Sequence, residues 1–223
     1  SRQDKKPMLS DLRESGCLTA DTRVLRADTG AEATMGELLA SGERNVPVWS
    51  LDSDRRLVAR PMTHVFSSGV KQVFRLRLAS GREVKASANH PFLTYEGWVP
   101  LGELTSGTRV AIPRRVPEPL RAQRRDEDEI VLTAHLLGDA ADHEKSVPAW
   151  VFGLPRDQVA LFLRQLWATD GSVRSGAAAG QGGVRHVSTS RRLADDVMRL
   201  LGRFGIVARL ETVRKTGFRD GCH

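Results

Sequence analysis

Cysteine is scarce in this chain: among 223 residues only Cys17 and Cys222 carry a thiol. That count excludes a disulfide-dense scaffold and any metal site built from pairs of cysteines. No apolar run approaches the roughly eighteen residues of a membrane span. The opening SRQDKKPMLS also lacks the apolar stretch of a signal peptide. These absences predict a cytosolic chain with reduced thiols and no membrane partner.

What is present is ordinary in bulk and basic in balance. A hydrophobic content of 40% and a charged content of 27% suit a globular protein of one large or two modest domains. The net charge of +7, carried mostly by arginine, suits a polyanion such as nucleic acid, and equally a solvated basic surface.

The texture changes along the chain. Residues 1–16 are a basic tail with one candidate helical turn at Leu9, Leu12 and Arg13, too small to fold alone. From 17 to 117 short strands dominate: Thr22 to Leu25, Val46 to Leu51, Val58 to Val65, Val73 to Leu78, Glu83 to Ala86 and Gly107 to Ile112. Met35 to Ala40 is the one helical candidate there, and turns are expected at Asp28-Thr29-Gly30 and Ala79-Ser80-Gly81. Val73 to Leu78 alternates apolar and basic residues, which predicts one buried and one wet face, paired as a hairpin with Glu83 to Ala86. Residues 118–129 are heavily charged and read as a solvated linker.

Residues 130–223 turn helical. Helices are expected at Ile130 to Leu137, at Gln158 to Ala168, and after Ser190 as an N-cap. The last of these shows an apolar face of Leu193, Val197, Leu200, Leu201 and Phe204 and a stop at Gly205. Ile206 to Val213 reads as a strand and Gly176 to Gly183 as a glycine-rich loop.

Two blocks carry chemistry. Cys17-Leu18-Thr19-Ala20-Asp21-Thr22 follows Gly16, and some seventy residues later comes Gly81-Arg82-Glu83-Val84-Lys85-Ala86-Ser87-Ala88-Asn89-His90-Pro91-Phe92. Over residues 17–112 the chain resembles inteins, whose opening block begins with cysteine and whose second block ends in a Thr-x-x-His element. Here Ser87 stands for the threonine. The resemblance implies a mainly β, horseshoe-shaped splicing domain and a first step without cofactor, in which the Cys17 thiol attacks the Gly16 carbonyl. His90 is then the proton donor to the leaving nitrogen, while Ser87 and Asn89 position the bond and the developing oxyanion. Cys17 and His90 together also form half of a possible inhibitory zinc site. Lys6 to Gly16 resembles a segment of bacterial replicative DNA helicases, which makes the host protein's flanking exteins the partners.

In the second half, Leu132 to Asp139 and Leu163 to Gly171 resemble the two signature helices of LAGLIDADG homing endonucleases. That resemblance implies double-stranded DNA as partner and Mg²⁺ held by Asp139 and Asp170. Ala140 departs from the usual glycine. Only Ala140 to Glu144 separate the first motif from Lys145, too few for a DNA-binding saddle, so either this half is degenerate or residues are absent at this point, and the abrupt change of texture near Ala140 favours the second. The completing asparagine of splicing is also expected elsewhere, since Asn45 and Asn89 are the only two. The alternatives are a DNA endonuclease with the splicing domain as passenger, or a Hedgehog-like autoprocessing domain that passes the thioester to another nucleophile.

Overall fold

The computed structural model describes residues 16–139, 145–174 and 183–212. The first half is a succession of antiparallel hairpins. Strands β1 (Arg23–Leu25) and β2 (Glu32–Thr34) pair across the turn at Asp28 to Gly30. Then come β3 (Val46–Leu51) with β4 (Leu57–Met62), β5 (Val73–Arg77) with β6 (Glu83–Ser87), and β7 (Pro91–Thr94) with β8 (Gly97–Pro100). Each is a two-stranded sheet. Isolated bridges such as Leu18 to Ala86 and Arg26 to Val48 stitch them together.

Helix α1 (Met35–Ser41) starts where Thr34 and Glu37 form a reciprocal capping box and stops at Gly42, whose φ of 65° favours glycine. The β5–β6 hairpin forms in the predicted place, and its apolar side is only partly covered: Leu76 and Leu78 are half-buried, while Phe74 is 43% exposed. A two-stranded ribbon has no second strand layer of its own to close over that side. Residues 107–112 contribute only a bridge from Val110 to Thr94 rather than a strand.

Among the described residues the second half has three α-helices, α2 (Glu127–Asp139), α3 (Arg156–Asp170) and α4 (Arg191–Gly202), and a hairpin of β9 (Gly171–Arg174) with β10 (Gly183–His186). Ile130 and Ala134 of α2 pack with Val159, Phe162 and Leu166 of α3 and Leu193, Val197 and Leu200 of α4. This single apolar cluster lies wholly beyond residue 129. Ser190 caps α4 by accepting from the Leu193 amide, and a φ of 75° at Gly205 ends the turn after it.

The charged stretch 118–129 is tied down rather than loose. Leu120 and Arg121 donate to the carbonyls of Ala27 and Asp28, Gln123 donates to that of Gly153, and α2 already begins at Glu127. Residues 206–212 form no strand; Leu210 N donates to Ser80 O at 2.9 Å and Ile206 N to Leu201 O at 3.2 Å. The glycine-rich loop 176–182 and the tail 1–15 lie outside the described residues. Among the described residues no helix is long and apolar enough to cross a membrane.

Charged side chains bolt the halves together. Glu32 on β2 meets Arg199 at 2.5 Å and Arg192 at 3.2 Å, both from α4. Arg203, just past α4, is 3% exposed and donates to the carbonyls of Leu154 and Phe152 beside Gly30. Burial lowers its pKa to about 10. The φ of 73° at Gly30, and a Cβ there only 2.6 Å from Pro119, leave room for glycine alone.

Candidate active site

Two short segments bring the predicted splicing residues together. The bridge from Leu18 to Ala86 lays the start of the intein-like block along the end of β6. Cys17 N donates to Ser87 Oγ at 2.8 Å, and Ser87 N returns a bond to Cys17 O at 2.9 Å. Ser87 is buried, and its hydroxyl donates to Asn89 Oδ1 at 2.7 Å. The Ser87 oxygen is therefore oriented from one side and holds the Cys17 amide from the other. Because only this γ-oxygen is used, serine serves where the family pattern has threonine.

His90 follows at the turn after β6, where its amide donates to Ser87 O at 3.0 Å and its carbonyl accepts from Leu101 N at 2.9 Å. Its ring meets Phe92 edge-on at 5.2 Å. Gly16 rests on its backbone: a Cβ at residue 16 would lie 2.7 Å from His90 Cβ and 2.8 Å from His90 N. A side chain before Cys17 would push the Gly16–Cys17 bond off the histidine. Nδ1 of His90 is buried with no hydrogen-bond partner among the described residues. Burial holds its pKa below the ordinary value of 6.5, partly offset by the Gly16 backbone. A neutral imidazole with one unengaged nitrogen can accept a proton and pass it on.

The Cys17 sulfur is half-buried and has neighbours that no local pattern announces. Ser68 Oγ lies 3.1 Å away and Lys71 Nζ 3.3 Å away. Burial alone would raise the thiol pKa, but the hydrogen bonds from Ser68 and Lys71 and the lysine charge outweigh it, and the pKa falls. Among the described residues no three His, Cys, Asp or Glu side chains form a group that could hold a metal. The sulfur faces an ammonium and a hydroxyl, and Cys222 and His223 lie outside the described residues. A groove of about 1240 Å³ runs between Arg75 to Gly81, Leu104 to Val110 and Arg209 to Thr212, and Cys17, Ser87, Asn89 and His90 do not line it.

In the second half, α2 and α3 lie side by side. A Cβ on Gly138 would come within 2.6 Å of Thr169 Cβ, so the C-terminal ends of the helices touch with no room for a larger residue. Asp139 and Asp170 are the last residues of α2 and α3, and this contact places their backbones at the same end of the pair. Halfway along, His135 Nε2 and Gln165 Oε1 bond across the two helices at 3.2 Å. Lys145 donates to Leu137 O at 2.9 Å, setting a cation on the carbonyl end of α2.

Residues 157–223 match the LAGLIDADG-like domain family. That match begins inside α3 and so includes Asp170 and not Asp139. Over its full length the chain is 30% identical to the replicative DNA helicase DnaB of Synechocystis sp., of which it covers 34%. Over 94% of its length it is 32% identical to DnaB of Rhodothermus marinus, of which it covers 30%. The chain thus spans about a third of the length of these relatives. The alignment with the Synechocystis helicase runs over 300 positions against 223 residues here, a difference of 77 positions that this chain lacks. Among solved structures, the chain is similar to an Ssp DnaB mini-intein variant (36% identity, 47% of this chain and 64% of that one, TM-score 0.44). It is also similar to the DnaB intein from Synechocystis sp., at 34% identity over 44% of this chain and 70% of that one, with a TM-score of 0.43. Sharing a third of its aligned residues across more than two thirds of that intein's sequence, and joined to a LAGLIDADG-like segment, the chain belongs to the inteins found in DnaB helicases.

Proposed function

We propose that this chain is a protein-splicing element whose first step is an N–S acyl shift at the Gly16–Cys17 bond. The observation that carries the reading is the reciprocal pairing of Cys17 with Ser87, beside a half-buried His90 whose pKa is held low and on which Gly16 rests. In this step the Cys17 sulfur bonds to the Gly16 carbonyl carbon, and the carbon–nitrogen bond breaks. The thiol gives its proton to the neutral His90 imidazole, and His90 passes a proton to the leaving nitrogen. Ser87, fixed by Asn89, holds the nitrogen as it turns from a planar amide into a pyramidal amine. The four hairpins of the first half are arms of the horseshoe expected of this family. The partners are the exteins of a replicative DNA helicase.

The test is trapping. Dithiothreitol or hydroxylamine is expected to release residues 1–16 from the precursor, measured by mass spectrometry. Cys17→Ala should abolish release and His90→Ala should slow it at least tenfold, within the range general acids contribute. Equal release from Cys17→Ala would remove the thiol from the reaction. A thioester passed to an external nucleophile, with no ligation of the flanks, would favour the Hedgehog-like alternative.

The tight side-by-side packing of α2 and α3 at their C-terminal ends supports a second activity, cleavage of double-stranded DNA. Asp139 and Asp170, at the touching helix ends, would hold Mg²⁺ between them, and the ion would activate water for phosphodiester hydrolysis. The 77 positions by which the Synechocystis alignment exceeds this chain fit a shortened insert after Asp139. DNA binding that weakens steeply with salt, without Mg²⁺-dependent cutting, is the result expected of such an insert. Zinc inhibition through Cys17 and His90 would require the metal to displace Lys71 from the sulfur.

A further inference from the structure

Lys71 has no part in the acid–base scheme above, yet its ammonium is in hydrogen-bond contact with the nucleophile. It lies in the connection between β4 and β5, 54 positions after Cys17, and Nζ stands 3.3 Å from Sγ. Ser68, three positions earlier in the same connection, stands 3.1 Å from the same sulfur. Between them Gly69 has a φ of 80° and open space around its missing Cβ. The glycine is there for the bend and not for packing, and the bend lets residues three apart converge on one atom. Lys71 and Ser68 are both half-buried, so water competes only partly for these contacts.

Such an arrangement suits one form of the sulfur. A thiol is a weak acceptor and gains little from a full cation, whereas a thiolate gains a charge-assisted bond. The thiolate is also the form that attacks a carbonyl. We propose that Lys71 is a catalytic residue of the N–S acyl shift, holding Cys17 as the thiolate poised at the Gly16 carbonyl, with Ser68 as the second donor to the sulfur. This rests on the splicing reading above. Lys71 keeps its proton throughout. The sulfur's proton goes to His90, the sulfur–carbon bond forms as the carbon–nitrogen bond breaks, and His90 returns a proton to the departing nitrogen, so charge and atoms balance.

The test uses the full chain in a Cys222→Ser background, which leaves Cys17 as the one thiol. Two readouts are taken at fixed pH: the rate of thioester trapping, and the rates of alkylation by neutral iodoacetamide and anionic iodoacetate. Lys71→Met is expected to slow trapping and iodoacetamide alkylation about tenfold each, the effect of one unit in thiol pKa. It should also lower the iodoacetate-to-iodoacetamide ratio, since the local positive charge is gone. Lys71→Arg, which keeps charge and donors, should restore most of both rates. A loss of fold would move all alkylation rates toward those of the denatured chain and would not be rescued by arginine in this charge-dependent way. Lys71→Met alkylated at the parent rate, with an unchanged reagent ratio, would overturn the proposal. If the parent forms no thioester while alkylation still depends on Lys71, the splicing reading fails and the charge contact stands.

Discussion

The two halves of this molecule are held together by different means. The helical half buries a continuous cluster in which Ile130, Leu154, Phe162, Leu166 and Leu200 are fully out of solvent. The hairpin half buries mainly small or isolated apolar residues, Ala27, Leu38, Val46, Ala86 and Leu101, and leaves Phe66, Phe74 and Trp98 exposed. Its order comes from backbone ladders, the capping box and polar contacts such as that of Cys17 with Ser87. An acyl shift needs donors and acceptors placed around one bond, which hydrogen bonds specify better than apolar packing does. The lesson is that the site is built where the core is thinnest, and leans on the neighbouring half for stability.

The largest expected effect tests that dependence. Phe162→Ala empties the centre of the helical cluster and should cost about 3–5 kcal/mol in denaturant unfolding. If the hairpins rely on the bolts from α4 to Glu32 and to the Gly81 carbonyl, amide protection across residues 46–100 should fall with that of α3 in hydrogen exchange. Hairpins that stay protected while the helices open would break the comparison and show two independent units.

A pH titration of stability sharpens it. Asp196 is fully buried between Val147 N, Arg192 and Arg199, with Arg23, Asp195 and Glu32 nearby. Burial outweighs these partners and raises its pKa from the ordinary 3.8 to about 6. Between those values the folded protein holds a proton that the unfolded chain releases. This contribution is therefore fully present below about pH 4 and is lost as pH rises through about 6, by about 3 kcal/mol at most. Asp196→Asn keeps an acceptor for Val147 and removes the charge, so it should flatten that part of the curve. An equal slope in the variant would assign the proton elsewhere.

Much of this contrast is legible in the amino-acid sequence, and the rest is not for reasons of distance. The alternation from Val73 to Leu78 marks its hairpin, and Ser190 with the apolar spacing after it marks α4, because both signals are local. Gly107 to Ile112, and residues 206–212 of the strand expected from Ile206 to Val213, have strand-like composition without becoming strands, since a ladder needs a partner that composition cannot supply. Cys17, Ser87, Asn89 and His90 stand in recognisable blocks. Ser68 and Lys71 reach the same sulfur from a connection with no pattern of its own. Asp196 and Arg203 look like ordinary polar positions of an amphipathic helix, and only the fold reveals them as buried.

A smaller effect separates cap from core. Ser190 Oγ accepts from Leu193 N at 3.2 Å and donates to Lys145 O at 2.6 Å, and the residue is fully buried. Ser190→Ala removes both bonds and should cost about 1–2 kcal/mol. Because α4 carries Arg192 and Arg199, the loss should reach the Glu32 bolt. A double-mutant cycle with Glu32→Gln should then show coupling, whereas strict additivity would confine Ser190 to its own helix.

The smallest effect belongs to the hairpin half. Thr34 Oγ1 accepts from Glu37 N at 3.1 Å, and Glu37 Oε2 accepts from Thr34 N at 2.7 Å. Thr34→Ala breaks one side of this box, typically worth about 1 kcal/mol to the helix it caps. Here α1 is only seven residues long and buries Leu38 alone, so little global stability passes through it. The first amides of α1, Glu37 and Leu38, should exchange faster, while the denaturant midpoint moves by about 0.5 kcal/mol or less. Local fraying with an unmoved midpoint is what a region ordered by separate polar contacts should show. A shift as large as that of Ser190→Ala would mean that the hairpin half is as cooperative as the helical one, and that its thin core hides a stability that polar contacts alone supply.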